Sequence, residues 1–385
     1  SCPLLLGSAT PALETRYAAE CGELTRLRLG HRIGSRPLPA VELVDLARER
    51  AQHPRGRKLI LSSRLLRALR ETLAQGGQSI LFLNRRGFST QIACIDCQHV
   101  VRCKNCDIAL TYHAHANALC CHYCDWHTRP PEHCPACASD KTALLGVGTE
   151  RVEEEVRAQL EGARVARLDR DTAVRRGAVE DVLARLADGA LDVLIGTQMV
   201  AKGHDFPGVR LVGVVNADLG LHLPDFRAAE RTFQLLTQVA GRAGRGALPG
   251  RVIVQTWSPE HYAIQPAATH DYERFYGEER AHREGLGYPP FGRLALVRVA
   301  APDEDAARAT AAELAETARA SGGPEVLGPA PAPIARLRSQ YRFQLLLKHP
   351  TREVLRQVGQ RLLARMERLP TGVRASVDLN PLDML

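Results

Sequence analysis

Residues 94–137 carry the most specific pattern in this chain and read CIDCQHVVRCKNCDIALTYHAHANALCCHYCDWHTRPPEHCPAC. Four Cys-x-x-Cys pairs lie within this stretch: Cys94 and Cys97, Cys103 and Cys106, Cys121 and Cys124, and Cys134 and Cys137. Each pair aims two thiolates at one point, and two such turns complete a tetrahedral four-sulfur site. Eight sulfurs therefore predict two closed zinc sites, which are structural because no coordination position is left for water.

Two other uses of these cysteines stay open at the level of sequence. A disulfide cluster is less favoured, because no signal peptide or secreted context accompanies the cysteines. Iron–sulfur ligation is a further alternative, although the hairpin spacing favours zinc. Zinc would also fold a segment that is too short and polar to build its own core.

The composition is that of a globular protein with two or three domains. The chain has 385 residues, of which 45% are hydrophobic, and 51 Lys and Arg against 43 Asp and Glu give a net charge of +8. A modest basic surplus fits a polyanionic partner, but many basic proteins bind no nucleic acid. No apolar run reaches the roughly 18 residues of a membrane span. The paired cysteines indicate a reducing compartment and leave Cys2, Cys21 and Cys120 unassigned.

Strands and helices alternate on both sides of the cysteine-rich stretch. A helix after Ser62-Ser63, with leucines on one face, precedes a buried strand at 79–83. Further strands are predicted at 143–147, 164–168, 192–196, 211–215 and 252–255, and helices at 150–160, 178–186 and 226–240. This alternation predicts a parallel sheet covered on both faces.

The cysteine-rich stretch is therefore an insertion into one domain, and its two ends must meet. Spacing alone leaves three ways to pair the four turns. The insertion favours the pairing in which Cys94 and Cys97 share an ion with Cys134 and Cys137.

The two ends of the chain have patterns of their own. Leu4–Leu6 reads as a short buried strand, and residues 30–56 are a connector rich in Arg, Pro and Gly. Because the sequence starts inside an apparent strand and without Met, we expect it to be a piece of a longer protein. Residues 291–385 show the order βαββαβ, which predicts a small ferredoxin-like sandwich.

Two stretches of the α/β region carry candidate site residues. Residues 238–246 read QVAGRAGRG, in which Arg242 and Arg245 could bind phosphate oxygens and glycines allow close approach. A solvated basic helix end is an equally good interpretation of that pattern alone. Residues 195–206 read IGTQMVAKGHDF after a buried strand, where Thr197 and Gln198 could bind a nucleic-acid backbone and Asp205 could orient a nucleotide. A structural turn at Lys202-Gly203 is the alternative there.

In their order, these stretches resemble the motifs of superfamily 2 helicases. Residues 7–11 (GSATP) resemble motif III, 83–87 (LNRRG) motif IV, 196–206 motif V and 238–245 motif VI. With eight cysteines inserted after the motif IV strand, the chain resembles the PriA family of bacterial replication-restart helicases, also called primosomal protein N′. The resemblance covers essentially the whole chain.

The resemblance implies an ATP-dependent 3′-to-5′ DNA helicase that recognises stalled or repaired replication forks and initiates primosome assembly. It implies that ATP, Mg²⁺ and two structural Zn²⁺ ions are the cofactors of the full-length protein. The implied partners are forked and single-stranded DNA, primosome proteins and single-stranded-DNA-binding proteins. A monomer without membrane association, in the bacterial cytoplasm at the nucleoid, is expected.

The family also implies residue roles. Arg245 is the expected arginine finger, Arg242 its γ-phosphate partner, and Gln238 lies nearby. Residues expected to couple nucleotide and DNA are Ser8, Thr10, Thr197, Gln198, Lys202, Gly203 and Asp205. The implied zinc sets are Cys94, Cys97, Cys134 and Cys137 for one ion, and Cys103, Cys106, Cys121 and Cys124 for the other.

The expected fold is a RecA-like parallel-sheet helicase lobe 2, interrupted by a two-zinc cysteine insertion and followed by a ferredoxin-like C-terminal domain. The expected boundaries are 1–56 for the end of lobe 1 and a connector, 57–93 and 139–258 for lobe 2, 94–138 for the insertion, 259–290 for a second connector, and 291–385 for the C-terminal domain.

The motifs that bind the nucleotide phosphates and Mg²⁺ are missing from this sequence. A P-loop, G-x-x-x-x-G-K-[ST], and an acidic D-E-x-H box hold phosphates and Mg²⁺, and in this family both precede motif III. We therefore expect this chain alone to show no ATP hydrolysis. The alternative function is a non-motor zinc-dependent platform for DNA and proteins, with Arg102 and Lys104 beside Tyr112, Tyr123 and Trp126. Those aromatic rings are equally suited to packing over the zinc turns.

Overall fold

The computed structural model describes most of the chain. The described residues are 2–30, 38–52, 60–83, 91–94, 97, 99–104, 109–113, 117–121, 126–145, 148–169, 172, 177–197, 206–221, 223–244 and 250–384. The helices are α1 (Leu13–Glu20), α2 (Leu46–Ala51), α3 (Ser63–Ala74), α4 (Thr149–Gln159), α5 (Ala178–Ala187), α6 (Ala228–Ala240), α7 (Gln265–Ala268), α8 (Tyr272–Leu286), α9 (Glu304–Ala320) and α10 (Arg352–Met366).

The strands run through the whole described chain. They are β1 (Ala40–Asp45), β2 (Gln78–Phe82), β3 (Gln91–Cys94), β4 (Thr111–His113), β5 (Ala118–Cys120), β6 (His127–Thr128), β7 (Thr142–Leu145), β8 (Val165–Leu168), β9 (Val193–Gly196), β10 (Val209–Val214), β11 (Arg251–Thr256), β12 (Arg293–Ala301), β13 (Glu325–Leu337), β14 (Gln340–His349) and β15 (Arg374–Leu379).

A parallel sheet with the strand order β1-β11-β10-β2-β9-β8 forms the α/β lobe. One apolar cluster packs α3 and α4 against one face through Leu65, Leu69 and Val156. A second cluster packs α5, α6 and α8 against the other face. The central strand β2 is buried at every position, as expected for a strand covered on both sides. The predicted RecA-like parallel lobe is confirmed.

The helix α3 shows why the sequence prediction succeeded here. The Ser62 hydroxyl accepts a hydrogen bond from the Leu65 N–H at 3.1 Å and so caps the helix. Leu65 and Leu69, one turn apart, are 0% and 1% exposed. Capping and a single apolar face both act locally, so both can be recognised in the sequence.

The cysteine-rich insertion contains two small sheets. β3 pairs antiparallel with β7, and β4, β5 and β6 form an antiparallel three-stranded sheet. The sequence predicted that a strand at 143–147 resumes the α/β lobe, and this was wrong. The strand β7 instead closes the base of the insertion, because its partner β3 enters the insertion at the other end.

The C-terminal domain has the predicted order βαββαβ. Its antiparallel sheet has the strand order β13-β14-β12-β15, and α9 and α10 contribute Leu314, Leu355 and Leu362 to the core on one face. The first and third strands are neighbours at the centre, which is the ferredoxin-like arrangement. This part of the fold prediction is confirmed.

Two sequence expectations near the start of the chain differ from the structure. Leu4–Leu6 does not form a strand; Leu4 and Leu5 are 83% and 82% exposed, and no described strand pairs with them. Within the predicted connector 30–56, residues 40–45 form β1, which adds to the edge of the sheet beside β11. Its apolar side chains Val41 and Leu43 pack against the lobe core, although the Arg- and Pro-rich flanks suggested a linker.

The chain divides into two compact units. The first comprises residues 1–88, 147–223 and 227–279, which include the parallel sheet. The second comprises 89–146, 224–226 and 280–385, which include the insertion and the C-terminal domain. Among the described helices, none combines the length and the apolar character needed to cross a membrane.

The cap of α9 gives a test of the C-terminal domain. The Asp303 carboxylate accepts a hydrogen bond from the Ala306 N–H at 2.8 Å. We expect Asp303→Ala to destabilise α9 by about 1 kcal/mol, measured by hydrogen exchange of the α9 amides. Asp305→Ala is the matched control, because that side chain is 89% exposed and makes only a surface ion pair. Equal effects of the two substitutions would contradict the capping role.

Candidate functional site

Four cysteine sulfurs meet at the base of the insertion. The Sγ atoms of Cys94, Cys97, Cys134 and Cys137 all lie within 4.8 Å of one another. The Cys94–Cys137 and Cys97–Cys134 sulfur–sulfur distances are both 3.6 Å. A tetrahedral zinc with Zn–S bonds of about 2.3 Å requires sulfurs about 3.8 Å apart, so these four fit the ion closely. The structure thus brings together the set that the insertion argument favours.

Local backbone geometry positions these sulfurs. The pairing of Cys94 with Thr142 across β3 and β7 brings the first and last turns to the same place. In the last turn, the Cys134 Sγ accepts a hydrogen bond from the Ala136 N–H at 3.4 Å, and the Ala138 N–H donates to the Cys134 carbonyl at 2.8 Å. These bonds fold the turn around the sulfur and orient it toward its partners.

Two of the four clustered thiols, those of Cys97 and Cys137, have raised pKa values. The Ser139 backbone N–H lowers the pKa of the Cys137 thiol, but the neighbouring Cys97, desolvation and the other two thiols raise it more, to about 12. The pKa of Cys97 is also raised: the His99 backbone and Cys137 lower it, but desolvation, Cys134 and Cys94 outweigh them. A zinc ion would displace these protons, so its binding weakens as the pH falls.

The second predicted zinc set is only partly described. Cys103 and Cys121 are 7% and 0% exposed and belong to a small cluster with Leu110 and Leu119. Cys106 and Cys124 lie outside the described residues. Cys120, which the sequence left unassigned, is buried with its Sγ 3.7 Å from the His127 Nε2.

Two aromatic residues of the insertion, Tyr112 and Trp126, make contacts that the structure describes. Trp126 packs against the small cysteine-containing cluster, and the Lys104 Nζ lies 5.1 Å from the centre of its ring. The Tyr112 hydroxyl donates to Asn117 Oδ1 at 3.0 Å. Tyr123 lies outside the described residues. These contacts favour packing over the zinc turns for Tyr112 and Trp126.

In the first unit, α6 leads into the arginine turn. Gln238 lies in its last turn, and the chain continues through Gly241 to Arg242. The Arg242 N–H donates to the Val239 carbonyl at 3.0 Å, and the Gly244 N–H donates to the Val209 carbonyl at 3.3 Å. The turn is therefore attached to the amino end of β10. Arg245 lies outside the described residues.

Gly250 holds this arginine turn in place and was missed from sequence. A Cβ atom at Gly250 would lie 2.2 Å from the Gly244 N and 2.4 Å from the Ala243 carbonyl carbon. Only a residue without a side chain allows the backbone of the turn to approach the start of β11 so closely. The signal in the sequence was a glycine two residues before the strand predicted at 252–255.

The motif V stretch runs from the carboxyl end of β9 to the amino end of β10, which lie at opposite ends of the parallel strands. Thr197 follows β9 at its carboxyl end, is 7% exposed, and its N–H donates to the Leu168 carbonyl at 3.4 Å. Phe206, near the amino end of β10, is buried in the lobe core. Gln198, Lys202, Gly203 and Asp205 lie between them, outside the described residues, as do Asn84 to Gly87 of the motif IV stretch.

The motif III stretch lies against α6. The Thr10 N–H donates to the Ser8 Oγ at 3.1 Å, and the Thr10 carbonyl accepts from Gln234 Nε2 of α6 at 3.4 Å. Gln238 is one helical turn beyond Gln234. The structure thus brings Thr10 toward α6, which carries Gln238 and leads into Arg242, while Thr197 lies at the carboxyl end of β9.

Three family models match parts of the chain. Residues 284–382 match the primosomal protein N C-terminal domain, and residues 103–129 match the PriA DNA helicase Cys-rich region (CRR) domain. Residues 137–247 match the helicase conserved C-terminal domain, which includes Gln238 and Arg242. These matches fall on the C-terminal domain, the insertion and the parallel lobe.

Curated proteins match the chain over its whole length. It is 46% identical over 389 residues to the replication restart protein PriA of Bacillus subtilis (strain 168), covering 100% of this chain and 48% of that protein. The replication restart protein PriA of Treponema pallidum (strain Nichols) is 44% identical, with 100% and 57% covered. The chain therefore spans about half the length of these relatives.

Solved structures match the chain weakly. RecG bound to a three-way DNA junction is 12% identical, with a TM-score of 0.33, and the match covers 69% of this chain and 24% of that one.

The zinc site can be tested by removing one ligand. We expect two zinc ions per chain in the unaltered protein and about one fewer in Cys134→Ser, because three sulfurs no longer complete the tetrahedron. Metal analysis of the purified chain measures this. Cys21→Ser, which changes an exposed cysteine outside the pairs, should keep both ions. Unchanged zinc in Cys134→Ser would contradict the four-sulfur site.

The role of Gly250 can be tested by adding a methyl group. We expect Gly250→Ala to lower the free energy of unfolding by about 1–3 kcal/mol, because the new Cβ overlaps the backbone of the arginine turn. Urea denaturation measures the loss. The control is Gly277→Ala in α8, where a Cβ would meet nothing within 4 Å and should be neutral or stabilising. A neutral Gly250→Ala would refute the close approach.

Proposed function

Because this chain belongs to the PriA family of replication restart proteins and matches its C-terminal portion, we propose that it is the second motor lobe, zinc insertion and C-terminal domain of an ATP-dependent DNA helicase. The observation that carries this proposal is the turn at 241–244, which follows α6 and presents Arg242 beside the amino end of β10.

Arg242 and Arg245 would act on the nucleotide. A guanidinium group is a fixed planar charge that can bind phosphate oxygens through two N–H groups. Placed against the γ-phosphate, it stabilises the charge that develops as the phosphoryl group is transferred. We assign Arg245 as the finger, Arg242 as its γ-phosphate partner, and Gln238 as a neighbour that orients the reacting groups. The other lobe would supply the P-loop and the Mg²⁺ ligands.

Thr197 and its neighbours would act on DNA. Thr197 lies at the carboxyl edge of the sheet, and the stretch that follows leads to Phe206 near the amino end of β10. We propose that Thr197 and Gln198 bind the DNA backbone, whereas Lys202, Gly203 and Asp205 respond to the nucleotide. The motif V stretch would thus couple DNA binding to nucleotide binding. Ser8 and Thr10 of the motif III stretch would contribute to the same coupling.

The biological task is proposed from the relatives. The curated matches are named replication restart proteins. We propose that the full-length protein translocates 3′ to 5′ on forked DNA and initiates primosome assembly together with single-stranded-DNA-binding proteins. The insertion, whose cysteines support zinc binding, would be a rigid element of the full-length helicase.

Substitution of the arginines in the full-length protein tests the motor function. We expect Arg242→Ala and Arg245→Ala each to reduce DNA-stimulated ATP hydrolysis about a hundredfold or more while leaving forked-DNA binding and zinc content intact. A coupled assay of ADP release measures this. Arg185→Ala, at an exposed position of α5, is the control and should retain full activity.

Two outcomes would contradict the motor proposal. Unchanged turnover in both arginine variants would show that neither Arg242 nor Arg245 takes part in ATP hydrolysis. A full-length protein that binds forked DNA but hydrolyses no ATP would favour the binding-platform alternative.

A further inference from the structure

Glu230 is a buried carboxylate on α6 that the proposed chemistry does not use. It lies in the first turn of the helix and is 4% exposed. A buried charge is costly unless it is paired or hydrogen-bonded. Its Oε1 accepts a hydrogen bond from the Leu13 N–H at 2.8 Å, across 217 positions of sequence. The partner is thus the first residue of α1.

The helix α1 depends on such an external acceptor. It has only eight residues, and Ala12 at its N-cap has no side chain that could bind the first N–H groups. Isolated helices of this length are marginal in water. A negative charge at the helix N-terminus is also favourable, because the free N–H groups carry partial positive charge there. Glu230 on α6 therefore provides the hydrogen-bond acceptor and the negative charge that the N-terminus of α1 lacks.

The contacts around Glu230 form one face of α6. Arg227 Nη2 lies 2.7 Å from Glu14 Oε1, and the Arg227 and Glu14 side chains are 14% and 30% exposed. Gln234 Nε2 donates to the Thr10 carbonyl at 3.4 Å and to Glu230 Oε1 at 3.3 Å. Positions 227, 230 and 234 are three and four residues apart, so they share a helix face, and Gln238 continues it by one more turn.

Helix α8 also contacts residues 11–20, which include α1. The Tyr272 hydroxyl donates to the Pro11 carbonyl at 2.9 Å, and the Tyr276 hydroxyl donates to Glu20 Oε2 at 2.5 Å. Glu273 pairs with Arg16 at 3.4 Å and is 43% exposed, so this ion pair contributes little. The hydrogen bond from Leu13 to Glu230 is buried, whereas the two tyrosine hydrogen bonds are only partly buried, so its loss would leave the Leu13 N–H without a partner away from water.

We propose that Glu230 is a positioning residue that fastens the segment bearing Ser8 and Thr10 to α6, the helix that bears Gln238 and leads into Arg242. The hydrogen bonds of Glu230 and Gln234 then give a change at the arginine turn a path along α6 to Thr10. This part of the inference rests on the proposed motor function. The attachment itself is a property of the 385-residue chain and can be measured without any activity.

The first experiment measures the attachment by hydrogen exchange of this chain. Glu230→Ala should raise amide exchange over residues 13–17 by about tenfold or more, because a buried hydrogen bond is lost. Glu230→Gln keeps an acceptor oxygen and should restore most of the protection. Glu180→Ala is the matched control, since Glu180 is an exposed glutamate in the first turn of α5.

Glu230→Asp covers the case in which the alanine variant folds poorly. It keeps the charge but shortens the reach by one methylene, so exchange over 13–17 should still rise. Unchanged exchange in both the Ala and the Asp variants would overturn the attachment.

The second experiment measures coupling in the full-length protein. Glu230→Ala should lower the DNA-stimulated kcat for ATP about tenfold while KM for ATP and Kd for single-stranded DNA stay within about twofold, and Glu230→Gln should recover kcat. A merely structural defect would lower binding and turnover together, and that result would overturn the positioning role. Absence of stimulated hydrolysis in the unaltered protein would refute the proposed function instead, and the exchange experiment would still decide the attachment.

Discussion

The meeting of four cysteine sulfurs is the constraint on which the insertion depends. The chain leaves the parallel lobe after β2 and returns to it at α4, so the segment between them must begin and end at one place. The β3–β7 pair and the Cys94, Cys97, Cys134 and Cys137 cluster bring those ends together. Because the insertion has only a small apolar cluster around Cys103 and Cys121, metal coordination replaces much of the core that it lacks.

In the first unit, α6 connects features that are distant in sequence. Its buried face completes the lobe core through Phe233 and Leu236, and its last turn continues into Arg242. Its first turn presents Glu230 to the N-terminal segment. A helix held by packing along its length transmits displacement as a rigid element, so one element joins the motif III and motif VI stretches.

The sequence was informative where structure is determined locally. The capped, one-faced helix α3, the fully buried strand β2 and the βαββαβ rhythm were all predictable from periodicity and caps. The four-sulfur set followed from the requirement that an insertion closes. Features that depend on distant partners were missed: β1 lies in the sheet because β11 is beside it, and Glu230 gains its partner across 217 positions. Leu4–Leu6 shows the converse, since an apolar run forms a strand only when another strand pairs with it.

X-ray absorption spectroscopy at the zinc edge tests the central claim most directly, because it counts the ligand atoms around the metal in the folded chain. Closure of the insertion by cysteine turns predicts four sulfur ligands per zinc at about 2.3 Å and no lighter ligand. A first shell containing nitrogen or oxygen would contradict it, since histidine, carboxylate or water would then have replaced a cysteine at one of the two zinc sites.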